Sequence, residues 1–549
     1  MELLLKPGRS TTRKVWFSIK KRILMLLWGL LILSLTSCNL GNYYVSALDL
    51  TATAVFATAL DDATISFNAT QAPPPIAEPT PIPIVPTMLI ENPTPTEISV
   101  PEMEIVPLPT ATRDNEERPP FLYYSQSGDT LTVIAARFGV TIDEIKTQLE
   151  LSPRELIKPQ TLLVVPDYYG FDIAADPVLP DSEIIYSPSA LDFDINAFLT
   201  EAGGYLSTYR EYTGEGWLSG ADIIKKVATE ESVNPRILIG LLEYQSGWVY
   251  GQPQNIFEKD YPLGFPMIDR KGLLKQIKFG VKVLSNGYYG WREGRITEVV
   301  FSDGTQQRIH PKMNAGSAAL EHFFANFYDP ARWLSVLYGD GSFPVLYEQM
   351  FGSPWIRALT VEPLYTSGLT QPNMELPYLP GKIWAHTGGP HPAWGSHGAW
   401  AALDFAPASD KSGCTVSSDW VVASAPGLVV RTGPGLVVVD LDGDGYEQTG
   451  WVILYLHIAS EGKVKNGTYL DQDALIGHPS CEGGSATGTH VHIVRKYNGE
   501  WIAADGPLAF NLSGWISYKG EKAYDGRLIR KDAVVVARTY GSYESVVTR

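Results

Sequence analysis

The spacing of apolar residues changes along this chain, and each change predicts a different kind of element. Beyond residue 376, apolar or alternating runs at 420–430, 436–441, 450–458 and 488–495 are separated by Pro-Gly, Gly-Pro-Gly and Asp-Gly turns. Such short runs with turn punctuation predict an antiparallel β-sheet. Between 197 and about 355 the spacing is helical: Asn234 and Pro235 form an N-cap and first-turn pair, and Ile237, Leu238, Leu241 and Leu242 supply one buried face. Residues 123–166 read as a small module. Its first helix carries Leu131, Ile134, Ala135 and Phe138 on one side, with Asp129 or Thr130 as cap and Gly139 as the terminating residue. Thr141 with Glu144 predicts a capping box opening a second helix through Leu149, and a strand at 161–165 is expected to pair with 122–125, giving a βααβ order.

The remaining segments lack such periodicity. Lys6, Arg9, Arg13, Lys14, Lys20, Lys21 and Arg22 precede an apolar run at 23–35 and then Thr36-Ser37-Cys38. That run is shorter than the roughly 20 residues a spanning helix needs, so it predicts an export signal. Residues 39–120 are rich in Thr, Ala and Pro and cannot bury enough apolar surface to offset their ordering entropy; as a spacer they would reach roughly 50 Å. The Pro- and Asp-rich stretch after 167 reads as a linker. The resulting map is a signal at 1–37, a tether at 38–120, the small module at 121–167, a linker at 168–196, a helical domain at 197–375, a β-sheet domain at 376–520, and a tail at 521–549 whose residues 533–537 could add an edge strand.

A length of 549 residues exceeds one hydrophobic core, in keeping with several domains. The formal net charge of -17 argues against nucleic acid as a partner, since phosphates require a basic surface. Adhesion to an anionic polymer would likewise have to rest on shape, hydrogen bonds and stacking.

Candidate chemistry is concentrated near the C-terminus. Seven of the nine histidines fall between His386 and His492. In a strand, residues i and i+2 share a face, so His490 and His492 present two imidazoles side by side, and Tyr455 and His457 repeat the spacing. Asp404 ends an apolar run and could add a carboxylate, and three protein ligands with one open position are what a hydrolytic zinc ion requires.

The run SCEGGSATGTHVHI at 480–493, preceded by YLH and by GGPH…LDF, resembles the LytM/lysostaphin-type peptidoglycan metalloendopeptidases, in particular the staphylolysin and β-lytic branch. The resemblance spans 382 to about 501. It implies one zinc ion on His391, Asp404 and His492, with His457 and His490 as catalytic imidazoles that do not bind the metal. His397 is the alternative first ligand. The GDTL, IAxxFGV and PxxLxVP elements of the small module resemble a LysM domain, which implies binding of N-acetylglucosamine-containing glycans, with Gly128, Asp129 and Thr130 as candidate contacts. Gln160 stands where that family has Gly, and the usual Asn after the second helix is missing.

VNPRILIGLLEYQSGW is similar to the catalytic helix of lysozyme-like lytic transglycosylases. There a Glu precedes the Ser, whereas this chain has Gln245, and an amide cannot act as a general acid. Glu243, about 200 degrees round the helix, cannot simply replace it. A degenerate domain, structural or glycan-binding, is expected, and Trp248, Tyr288, Tyr289 and Trp291 are read either as core aromatics or as sugar platforms. The L-T-S-C sequence resembles a bacterial lipobox, which implies lipidation of Cys38 and leaves Cys414 and Cys481 to form a disulfide. DLDGDGYE resembles the start of a calcium loop through Asp440, Asp442 and Asp444, but Trp451 occupies position twelve, so a solvated turn is favoured over Ca2+.

These readings combine into a lipoprotein on the outer face of a bacterial membrane that hydrolyses amide bonds in peptidoglycan peptides. Two alternatives stay open, a non-catalytic wall-binding scaffold or activator of another hydrolase, and a bifunctional glycosidase and peptidase.

Overall fold

The computed structural model describes residues 118–170, 176–409 and 413–549. The expected signal, Cys38 and nearly all of the tether lie outside the described residues. No helix among the described residues is long and apolar enough to cross a membrane.

In the small module, strand Phe121–Tyr124 pairs antiparallel with Leu162–Val165, and helix Leu131–Phe138 packs beneath them. Thr130 is the cap, accepting from the Val133 amide, and Gly139 ends the helix in the left-handed region. The expected second helix is only a 3-10 turn, Ile142–Glu144. Glu144 does reach back to the Thr141 amide, at 2.7 Å, but Lys146 exchanges two backbone hydrogen bonds with Val164, and this draws the chain out of helical geometry.

The middle domain is predominantly helical. Its long helix Leu273–Arg292 packs against Ala315–Ala325 and Gly220–Glu231, and Pro235–Ser246 lies in the same core. Trp248, Tyr288, Tyr289 and Trp291 are all buried, so they are core aromatics and not sugar platforms. The linker expected at 168–196 is corrected over its described C-terminal part: Leu179, Ile184 and Ile185 belong to the helical core. Glu183 is buried too, accepting from Tyr347 Oη at 2.6 Å and pairing with Arg357. Asp181 is likewise buried and paired with Arg292, so two acidic residues of the expected linker are partnered in the interior.

The C-terminal domain is built on a nine-stranded antiparallel sheet. From one edge it runs Tyr469–Leu470, Gly427–Gly433, Leu436–Asp440, Trp451–Leu456, Val491–Tyr497, Ala402–Pro407, Ile383–His391 and Val546–Thr548, with Glu500–Trp501 pairing off Val491–Tyr497. Alternate residues go to two cores. Val437, Val439, Ile453, Tyr455 and Ile493 face the domain's own interior, whereas Leu436, Val438, Val452, Leu454 and Val494 join the core of the helical domain. Burial on both faces explains why these strands read as continuous apolar runs.

Residues 521–549 are not a tail. Strands Gly526–Arg530 and Ala533–Val536 complete a four-stranded sheet with Asn511–Leu512 and Trp515–Lys519, and Val546–Thr548 forms an edge of the large sheet. Ala533–Val536 is thus an edge strand, as expected, though of the smaller sheet, and Val546–Thr548 is a second edge that the sequence did not suggest. Leu528, Val535 and Val547 are the buried anchors that fold this segment back onto the domain.

Candidate metal centre and active site

Sheet register brings the candidate ligands together. His492 lies directly opposite Asp404 on the neighbouring strand, and Gly388 faces Asp404 from the other side. A Cβ at Gly388 would lie 2.5 Å from Asp404 Oδ2, so the carboxylate occupies space that only glycine leaves. Register shifts between His386 and His391 then carry the His391 ring to the same point.

The three donor atoms form a nearly regular triangle. His391 Nε2 is 3.0 Å from His492 Nδ1, which is 3.2 Å from Asp404 Oδ1, and Asp404 Oδ1 is 3.4 Å from His391 Nε2. Ligands about 2.0–2.1 Å from a tetrahedral zinc ion are about 3.3 Å apart, so the triangle is one face of such a site. The outer nitrogens decide the tautomers. His391 Nδ1 donates to Gly389 O at 2.8 Å, and His492 Nε2 donates to Ala393 O at 3.1 Å. A carbonyl has no hydrogen to give, so the inward nitrogens carry lone pairs. Two imidazole lone pairs and a carboxylate oxygen converging in a buried space are a donor set suited to a metal cation. Burial opposes ionisation of Asp404, but the neighbouring histidines outweigh it and hold its carboxyl well below the usual range.

Two further imidazoles flank this triangle. The His457 and His490 rings are 4.4 Å apart. Nδ1 of His457 donates to Glu482 O at 3.0 Å and Nδ1 of His490 to Gly488 O at 2.8 Å, which leaves each Nε2 available. His490 Nε2 lies 3.8 Å from Asp404 Oδ1. Burial, with the charges of His490 and His492, pushes His457 down to about 4, so at neutral pH it is an unprotonated acceptor. All five residues line one open cleft of about 2240 Å³. Cys414 and Cys481 are disulfide-bonded, with Cα atoms 5.6 Å apart, beside this cleft.

One contact was missed from sequence. The ring of Tyr524 stacks on His391, with centroids 4.1 Å apart and an interplanar angle of 19°, and its carbonyl accepts from the Gly389 amide at 2.8 Å. The only sequence signal for it is the Asp525-Gly526 turn in the supposed tail.

Other candidates lie elsewhere. His397 points away from the triangle, with Nε2 3.2 Å from Glu231 Oε2, so it is not the first ligand. Tyr455 is in the core, its hydroxyl accepting from the Ser424 amide. In the LysM module, Gly128 abuts Arg292, Asp129 is buried against Arg137 and Tyr123, and Thr130 caps the helix. Packing thus occupies all three candidate glycan contacts. The Glu243 carboxylate accepts from the Val249 and Tyr250 amides, and Gln245 accepts from Tyr328 Oη. Asp440, Asp442 and Asp444 lie close enough to share an ion, yet all three accept hydrogen bonds from backbone amides of their own turn, as a solvated turn requires.

Known proteins resemble several parts of the chain. The family profile of the LasA N-terminal domain matches residues 177–364, and that of the LysM domain matches 126–166. Protease LasA of Pseudomonas aeruginosa is 26% identical over 355 residues, covering 61% of this chain and 78% of LasA. Among solved structures, the deep-sea M23 metalloprotease pseudoalterin is 24% identical, covers 31% of this chain and 96% of its own, and has a TM-score of 0.26. The catalytic domain of the antimicrobial peptidase lysostaphin from Staphylococcus simulans is 23% identical, covers 23% of this chain and 89% of its own, and has a TM-score of 0.16. The His-Asp-His triangle and the similarity to LasA define the class, a LasA-like zinc metallopeptidase. The chain is a LasA homologue that carries a LysM domain upstream of its helical domain.

Proposed function

We propose that this protein is an exported zinc endopeptidase that hydrolyses amide bonds in the peptide part of peptidoglycan, held near its substrate by the LysM module and by a lipid on Cys38. The observation that carries the reading is the donor triangle of His391, Asp404 and His492, open to a cleft in which two further imidazoles present free Nε2 atoms. These three residues would hold the zinc ion, which when bound supplies Lewis acidity toward a scissile carbonyl and acidifies a water molecule. One of His457 and His490 takes the proton of the attacking water and returns it to the leaving amine, while the other stabilises charge on the carbonyl oxygen. Tyr524 braces the His391 ring from the outer side.

The middle domain takes no part in sugar chemistry on this reading, because the Glu243 carboxylate is engaged by the amides of the turn that follows its helix and Gln245 cannot protonate a leaving oxygen. Purified sacculi digested with and without a chelator, then examined by mass spectrometry, test the proposal. New amino termini that vanish with chelator are expected. New reducing or anhydro sugar ends without new amino termini, or no products at all, would overturn it.

A further inference from the structure

The loop between two metal ligands, residues 392–401, is held from outside its own domain. It leaves the sheet at His391 and returns before Asp404, and its Ala393 carbonyl accepts the bond that fixes the His492 ring. Within the loop, the Ala393 amide donates to Ala399 O at 3.0 Å and Trp394 bridges to His397, so Ala393 moves with 397–399 as one unit.

That unit is clamped by the helical domain. His397 Nε2 reaches Glu231 Oε2, at the end of helix Gly220–Glu231, at 3.2 Å; Glu231 is buried and the His397 side chain is only 9% exposed. The Gly398 amide donates to Asn286 Oδ1 at 3.2 Å, and the Gly398 carbonyl accepts from Arg295 Nη2 at 3.4 Å. Gly398 is left-handed, with φ of 78°, and a Cβ there would be 3.4 Å from Tyr289 and 3.5 Å from Ser285, so it is suited both to the turn and to the close approach. Ala393, Ala399 and Ala401 are buried in the helical domain's core and not in the sheet domain's own.

We infer that Glu231, acting through His397 and assisted by Asn286, is a positioning residue for the metal centre: the helical domain sets the place of the Ala393 carbonyl and thereby the orientation of His492. The inference rests on the metal site described above. A buried hydrogen-bond acceptor behind a ligand imidazole fixes its tautomer and rotation, and loss of such a partner typically lowers metal affinity about 10–100-fold. Glu231 stands one step further out, so the lower end of that range is expected.

The experiment uses the full chain and reads metal rather than turnover. Zinc affinity is measured by competition with a chromophoric chelator, and the visible spectrum of the cobalt-substituted protein reports the geometry of the ligands. Glu231→Ala is expected to weaken zinc about tenfold and to shift the cobalt bands. Glu231→Gln keeps an acceptor oxygen for His397 and is expected to stay near wild type in both. A His492→Ala control separates the two levels: zinc held as tightly by that variant as by wild type would overturn the metal site itself. With that control behaving as expected, wild-type affinity and an unchanged cobalt spectrum in Glu231→Ala would overturn the positioning role alone. So would a loss in Glu231→Gln equal to that in Glu231→Ala. If Glu231→Ala does not yield folded protein, Asn286→Ala, which removes the bond to the Gly398 amide, carries the same readings with the same consequences.

Discussion

The backbone carbonyl of Glu482 accepts a hydrogen bond from His457 Nδ1 at 3.0 Å, and Glu482 directly follows one half of the disulfide. A covalent staple therefore sits next to the atom that fixes the tautomer of an imidazole proposed to be catalytic. His457 itself is left-handed, with φ of 66°, so its ring direction depends on what surrounds it and not on strand geometry. Replacing Cys414 and Cys481 by Ser should cost up to about 4 kcal/mol of stability in the chain-entropy model. It should also lower kcat while leaving zinc affinity intact, because the ligand triangle does not touch that loop. Urea unfolding, steady-state kinetics and chelator competition on the double variant check both parts.

The two histidines of the H-V-H run are predicted to separate in their effects. His492→Ala removes one corner of the triangle and should abolish stoichiometric zinc. His490→Ala leaves the triangle intact and should keep zinc while losing about 10²–10⁴-fold in turnover, the usual contribution of a positioned acid or base. Metal analysis after dialysis, paired with peptide hydrolysis assays, decides this, and zinc retained with full activity in both variants would refute the assignment.

How far the site could be read from sequence follows from which geometry is local. The pairing of His490 and His492 is a consequence of the two-residue period of a strand, so it was visible in the sequence. The approach of His391 depends on two register shifts in one strand, which no spacing rule contains. His397 was a reasonable ligand by residue type, yet its partner Glu231 comes from another domain. Tyr524 reaches the cleft only because buried Leu528, Val535 and Val547 fold the last residues back, and their spacing looked like that of a short edge strand. The missing second LysM helix has the same kind of cause: Thr141 and Glu144 gave a correct start, but the Lys146–Val164 pairing ended it early.

Gln160 gives a direct test of local strain. It is left-handed, with φ of 67°, while its amide donates to Ser125 O at 2.8 Å, so the turn into strand Leu162–Val165 is fixed by pairing and not by the residue's preference. A side chain in this region costs about 1–2 kcal/mol, and glycine returns part of that as chain entropy. Gln160→Gly should therefore stabilise the LysM region by about 0.5–1 kcal/mol. Hydrogen exchange of the amides in Phe121–Tyr124 and Leu162–Val165 would report it as slower opening, and unchanged or faster exchange would contradict it.

Glu321 sets a pH dependence in the helical domain that the catalytic centre does not share. It lies in helix Ala315–Ala325, where burial pushes its carboxyl up to about 8. The unfolded chain ionises this group near its ordinary value of 4.5, whereas the folded chain keeps the proton until about 8. The stability it contributes is thus fully present below pH 4.5 and is lost as pH rises through 8, by about 5 kcal/mol across that span in the linkage relation. Glu321→Gln preserves the shape and removes the titration. Urea unfolding of wild type and variant between pH 5 and 8 should show the variant gaining steadily on wild type as pH rises, since contributions from every other group cancel in the difference. A difference that stays flat over this window would mean that the Glu321 carboxyl finds a charged partner or water in the folded state and ionises near its ordinary value.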